Sequence, residues 1–377
     1  MDDLPSPPRS VLLFHACHGR TSTGDAYRAT LSRPGGSDRQ VHVLVLDARV
    51  DPRSPAIARL QSEVRALAST RIPALQSVLE LAQSEGRVVV LSELFDARDL
   101  GSLLTDGLPL RALLDVLGEV AAALDTAWNA LGPDGAQLRL VHQDVRPGTL
   151  LVGRHGDVRL AEFGLGRALS ADLPGGEHSH WLYMAPERFT KGADHPAADI
   201  YSLGNILYEG IVGRHPFYGK TFTELYPYMR DPVRAEEWLA EQLAGLPFDV
   251  PPAVEALVTG MLAVDPQRRP TAREVSRECD RISDQVSGFP LKRWARERQW
   301  PPQPTVPAPL VGREVPVQPL HQGGGAGTPP IAPPALLPSV APEWDPLDAP
   351  GPKLASSVPV SSGRGSSRTG TPAPVSA

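Results

Sequence analysis

The spacing of apolar residues changes partway along the chain. VLLF (11–14), VHVLVLDARV (41–50) and RVVVLSEL (87–94) are runs of β-branched and aliphatic side chains, suited to a pleated, buried surface. Between the second and third, SPAIARLQSEVRALAST sets Ile57, Leu60, Val64 and Leu67 three or four residues apart, along one face of a helix. Beyond residue 98 the helical period dominates: 108–131, 199–212, 252–264 and 271–282 are predicted helices. Two short strands, TLLV (149–152) and DVRLAEF (157–163), flank the turn GRHG. Strands followed by helices predict an α+β chain of two lobes with a cleft between them.

Composition adds a boundary near residue 300. Residues 301–377 hold 19 prolines in 77 positions, too little apolar surface to offset the ordering of the backbone, so this stretch is expected to be disordered, like residues 1–9. Trp344 is its one aromatic, a stray residue or a docking motif. LKRWARERQW, within 286–300, is either a final helix packed on the large lobe or a docking helix. The net charge of −6 gives no nucleic-acid footprint, and no apolar run is long enough for a membrane span. Cys17 and Cys279 do not make a disulfide framework, and the acidic, Pro-rich start is unlike a signal peptide; a cytoplasmic location is expected.

Several motifs follow one another in register. LQSEVRAL carries Glu63, VHQDVRPGTL carries Asp144, and VRLAEFGLG carries Glu162. YMAPE ends on Glu187, ADIYSLGNILYE carries Asp199, and DPQRRPT carries Arg269. In this order and spacing, over roughly residues 10–285, the chain resembles the bacterial eukaryotic-like Ser/Thr protein kinase family. The resemblance implies a β-rich small lobe over about 10–94 with one αC-type helix, and a helical large lobe over about 95–285. It also implies structural roles for His142, Asp199 and a Glu187–Arg269 pair.

The resemblance keeps its scaffold and loses its chemistry. Catalysis in this family is positioning plus neutralisation of phosphate charge, by ATP-bound Mg²⁺ and by basic side chains. GRTSTGDAYRA (19–29) keeps Gly19 and Gly24 of the phosphate-cradling turn, with Thr21 at the middle glycine and Ala26 at the usual valine. Leu44 stands where the phosphate-pairing lysine belongs, and no lysine precedes Lys191; Arg28, Arg39 and Arg49 are the candidates to reach inward instead. Asp144 takes the base position, or caps its turn, and Arg146 takes the place of the usual lysine. Gln143 replaces the arginine that reads a phosphorylated activation loop, and Thr149 replaces a metal-binding asparagine. Glu162 replaces the metal-binding aspartate, extending its carboxylate by about 1.5 Å. Between Glu162 and Tyr183 the hydroxyls are Ser170 and Ser179, with His180 in place of a threonine, so control by phosphorylation there is not expected.

Three charge-handling positions are thus altered together: Leu44, Thr149 and Glu162. At about 2–4 kcal/mol of transition-state stabilisation each, their joint loss would cost many powers of ten in rate. The expectation is a catalytically impaired, pseudokinase-like binding or regulatory module in bacterial signalling, taking protein partners through its lobes or its Pro-rich tail. No cofactor is expected for robust catalysis, with ATP, with or without Mg²⁺, bound at low affinity. The alternatives are an atypical Ser/Thr kinase using Asp144 and Arg146 with one metal on Glu162, a metal-independent nucleotide sensor, and a nucleotidyl-transfer enzyme.

Overall fold

A computed structural model of the chain describes residues 10–21, 23–70, 72–132, 135–165, 179–190 and 195–320. Strands β1 (Ser10–Arg20), β2 (Gly24–Ser32), β3 (Arg39–Leu46), β4 (Val78–Ser84) and β5 (Arg87–Glu93) form the small lobe with helix α1 (Pro55–Thr70). Alternation along β3 sends side chains to two different cores. Val41, Val43 and Val45 face one cluster with Phe14, Tyr27 and Leu91. Leu44 and Leu46 face a second, with Ile57 and Leu60 of α1. The α1 helix starts where Ser54 Oγ accepts the N–H of Ile57, as a capping hydroxyl does.

The chain crosses to the large lobe at β6 (Ala97–Asp99), which pairs with β7 (Leu150–Gly153); β8 (Val158–Leu160) pairs with β7 in turn. Around this small sheet lie α2 (Leu100–Thr105), α3 (Leu110–Asn129), α4 (Ser179–Tyr183), α5 (Ala197–Val212), α6 (Phe222–Arg230), α7 (Pro232–Ala244), α8 (Pro252–Met261), α9 (Ala272–Ser283) and α10 (Leu291–Glu297). The middle of α3 is buried and α5 is buried from Ala197 to Tyr208, so these two form the lobe's centre. Capping boxes Thr221–Glu224 and Thr271–Glu274 fix the starts of α6 and α9. Among the described residues no helix is long and apolar enough to cross a membrane. Both cysteines are free and buried.

The expected disorder from residue 301 onward does not hold for 301–320. That stretch runs back to the small lobe and ends in β9 (Glu314–Pro319), antiparallel to β1 and β4, closing a barrel of order β1-β2-β3-β5-β4-β9. The physical reason is local. Val315 and Val317 alternate with polar and proline residues and are 2% and 5% exposed, while Glu314, Pro316 and Gln318 face outward. Prolines are tolerated because residues 314–317 pair with β1 and residues 318–319 with β4, which makes each half an edge. The rest of the tail, with Trp344, lies outside the described residues, as do residues 1–9.

Candidate active site

The resemblance-implied scaffold is assembled by buried, fully satisfied groups. Asp199, in the first turn of α5, accepts the N–H of Gln143 at 2.7 Å and of His142 at 2.9 Å, which pins the loop 141–149. His142 is buried. Its Nδ1 accepts the N–H of Asp144 at 3.2 Å, so Nε2 carries the proton and donates to the Ala161 carbonyl at 2.8 Å. Burial lowers the pKa of this imidazole and raises that of the Asp199 carboxyl, with the nearby His142 opposing the latter shift. Arg269 meets Glu187 in a two-pronged pair at 2.7 and 2.8 Å, and also donates to the carbonyls of Ala263, Val264 and Ala197.

Gln143 has a left-handed φ of +64°, and Arg188, from the segment after Glu187, donates to its carbonyl. This contact restores a guanidinium to the loop that lacks one at position 143. It was not legible in the sequence, because APER gives no sign that its arginine turns back. Ser170 and the side chains of Ser179 and His180 lie outside the described residues.

At the cleft, Arg146 lies between two carboxylates. Its Nε is 3.4 Å from Asp144 Oδ2 and its Nη2 is 3.1 Å from Glu162 Oε2. The side chains of Asp144, Arg146 and Glu162 are 6, 11 and 12% exposed, so little solvent screens the pairs. Burial works against the guanidinium charge, but Asp144 and Glu162 outweigh it and leave the Arg146 pKa raised. Burial pushes the Glu162 carboxyl up, with Arg146 opposing. Of the arginines that could have reached inward, none of the three candidates does. Arg28 turns to Gln40, Arg39 to Glu93 and Arg49 to Asp47, all at the surface.

The glycine-rich turn completes this network from above. Thr23 is buried and its hydroxyl lies 3.3 Å from Glu162 Oε2, across the cleft. Within the turn, Thr21 Oγ1 accepts the N–H groups of Thr23 and Gly24, each at 3.3 Å, and the N–H of Thr21 goes to the Gly24 carbonyl at 2.7 Å. The amides of Thr21, Thr23 and Gly24 therefore already have partners within the turn. Gly19 takes φ +116°, a conformation that L side chains rarely adopt. Gly24 also has a steric reason to be glycine: a Cβ there would collide with the Val45 carbonyl oxygen of β3. Gly24→Ala is expected to destabilise the small lobe by about 1–3 kcal/mol, read as a lower urea midpoint, through strain between β2 and β3.

Thr149 faces its own loop. Its hydroxyl accepts the N–H of Arg146 at 3.1 Å and lies 2.9 Å from the Arg146 carbonyl, and the residue is fully buried. Leu44 sits between Ala26 and Val90 in the sheet, 2% exposed, within the cluster that backs α1. Glu63 is buried on α1 and faces Gly164, where an added Cβ would meet its carboxylate; α1 is therefore turned inward.

This donor set does not fit a pair of Mg²⁺ ions holding ATP phosphates. Magnesium demands tight octahedral oxygen geometry near 2.1 Å. One Glu162 oxygen is engaged by Arg146 and Thr23, the Thr149 hydroxyl serves the backbone, and a guanidinium stands between the two carboxylates that a bridging cation would need.

A protein-family profile described as Protein kinase domain matches residues 37–278. Among curated proteins the chain is 32% identical over 257 residues to the serine/threonine-protein kinase PknA of Mycobacterium tuberculosis, covering 65% of this chain and 55% of that protein. It is 31% identical over 281 residues to PknL of Mycobacterium bovis, covering 72% of this chain and 63% of that one. Serine/threonine-protein kinase 36 of Pongo abelii matches at 29% over 233 residues, 61% of this chain and 16% of its own. The chain thus spans between about half and two thirds of the bacterial relatives. The matched span covers α1, the catalytic-type loop, the Glu187–Arg269 pair and α5, so the chain belongs to the protein kinase family.

Proposed function

We propose that this kinase-fold domain is a catalytically impaired binding or regulatory module in bacterial signalling, with its reaction centre closed by internal charge compensation. The observation that carries this reading is the contact chain Thr23–Glu162–Arg146–Asp144. An arginine there supplies positive charge permanently, without a metal and without the phosphate that a metal would bring. Leucine at position 44 removes a second phosphate partner from the facing strand. Protein partners would be recognised by the surfaces of the lobes or by the Pro-rich tail.

The test is a phosphotransfer assay on the full chain with γ-labelled ATP and Mg²⁺ or Mn²⁺. Incorporation into the chain or a general protein acceptor is expected to be no greater than for Asp144→Asn. Metal-dependent incorporation that disappears in that variant would establish the second reading, an atypical Ser/Thr kinase. One observation favours that alternative: α1 is turned inward and the loop holding Asp144 is fully anchored, which is the assembled arrangement that transfer requires.

A further inference from the structure

Residues 291–320 touch both lobes in one unbroken path. Helix α10 and the residues after it are anchored on the large lobe: the N–H of Leu291 goes to Asp115 of α3 at 2.7 Å, and Arg298 donates to Asp106 at 2.8 Å. At the crossing between lobes, Gln303 donates to the Ala97 carbonyl of β6. The chain then follows β1, where the N–H of Val306 goes to the Cys17 carbonyl at 2.9 Å. Gly312 and Phe14 exchange with one another's neighbourhood: Gly312 N–H to the Phe14 carbonyl at 2.8 Å, Phe14 N–H to the Arg313 carbonyl at 3.1 Å. After β9, Leu320 donates to the Leu81 carbonyl at 3.3 Å, and Gln61 of α1 donates to the Leu320 carbonyl at 3.4 Å.

We infer that the β1–β4 groove of the small lobe is a strand-docking site occupied in cis by residues 314–319, and that the segment 301–320 is a strap holding β1 and the turn after it down over Glu162. The occupant is identified by its fit. Val315 and Val317 enter the barrel core beside Phe14 and Tyr27, and Ser84 Oγ of β4 donates to the Pro316 carbonyl at 3.0 Å. The consequence follows from β1. It is the strand along which the strap lies, and its far end leads into the turn that places Thr23 on Glu162. Releasing the strap frees two edges, on β1 and β4, and removes the restraint on that turn. A force or partner acting on the 57 residues after Leu320 would therefore be felt at the cleft. This inference stands whether or not the site transfers phosphate.

The chain carries its own reporters, one cysteine in each lobe. Cys17 lies in the barrel core under the strap, and Cys279 is fully buried in α9. The experiment labels the full chain with a maleimide, in the natural sequence and in a Val315→Asp/Val317→Asp variant. The variant is expected to label Cys17 about tenfold faster or more, with Cys279 unchanged, because only the small lobe opens. An unchanged Cys17 rate, or equal acceleration at both cysteines, would overturn the strap. Amide exchange on the natural chain tests it independently of the variant's folding. The N–H groups of Val306, Gly312 and Leu320 should exchange as slowly as those of β1, and exchange at the rate of an open chain would contradict docking.

Discussion

Replacing Arg269 by Ala is expected to lower the stability of the large lobe by about 3–5 kcal/mol, the range for removing one partner of a buried ion pair. The side chain is fully buried, and its guanidinium serves both Glu187 oxygens and three backbone carbonyls from two other segments. Alanine would leave Glu187 and those carbonyls without their donor. The guanidinium also lies over the ring of Tyr201, 4.9 Å from its centroid, so α5 loses a packing partner as well. Urea denaturation followed by far-UV circular dichroism measures the effect. A loss under about 1 kcal/mol, the size of a surface pair, would mean that the pair is not the clamp described above.

Arg146→Ala is the second large effect, and its size depends on pH. Without the guanidinium, Asp144 and Glu162 face each other buried and uncompensated, and a loss of about 3–5 kcal/mol is expected at pH 7. Burial already raises the Glu162 pKa, and Arg146 is the group opposing that shift, so its removal raises the carboxyl further. A carboxyl whose folded pKa lies above its unfolded value takes up a proton on folding. The deficit of the variant is therefore greatest above the folded pKa, and it shrinks as pH falls towards the unfolded value of about 4.3. The natural chain, where Arg146 opposes the shift, is expected to show a smaller pH dependence of the same sign. Magnesium should act in the same direction: the vacated space between two carboxylates would bind it, raising the Tm of the variant and leaving that of the natural chain unmoved. Equal Mg²⁺ responses would show that Arg146 does not stand in for a cation.

Much of the fold was legible because its anchors are local patterns. The alternation in 41–46, the helical face of Ile57 and Leu60, and the ordered motifs ending at Arg269 each specify an element or a contact that the structure contains. The strand at Glu314–Pro319 was not legible from composition, because the prolines around it dominate any average, while its two alternating valines are specified only by a groove on another part of the chain. The same limit applies within the site. Leu44, Thr149 and Glu162 could be recognised as departures from the family pattern. What fills their place could not be recognised. That Thr21 would occupy the turn's own amides, that Thr23 would reach Glu162, and that Arg146 would bridge two carboxylates depend on side-chain directions that spacing does not encode. The close approach of Gly24 to the Val45 carbonyl of the adjacent strand is likewise invisible in the spacing.

On the proposed function, the Arg146 guanidinium stands in for the metal-and-phosphate charge balance of this family's reaction centre. Calorimetric titration of ATP into the full chain, with Mg²⁺ and with a chelator, tests it most directly. Mg²⁺ is expected to add nothing to whatever affinity ATP shows. Binding that tightens tenfold or more with Mg²⁺, about 1.4 kcal/mol, would contradict it.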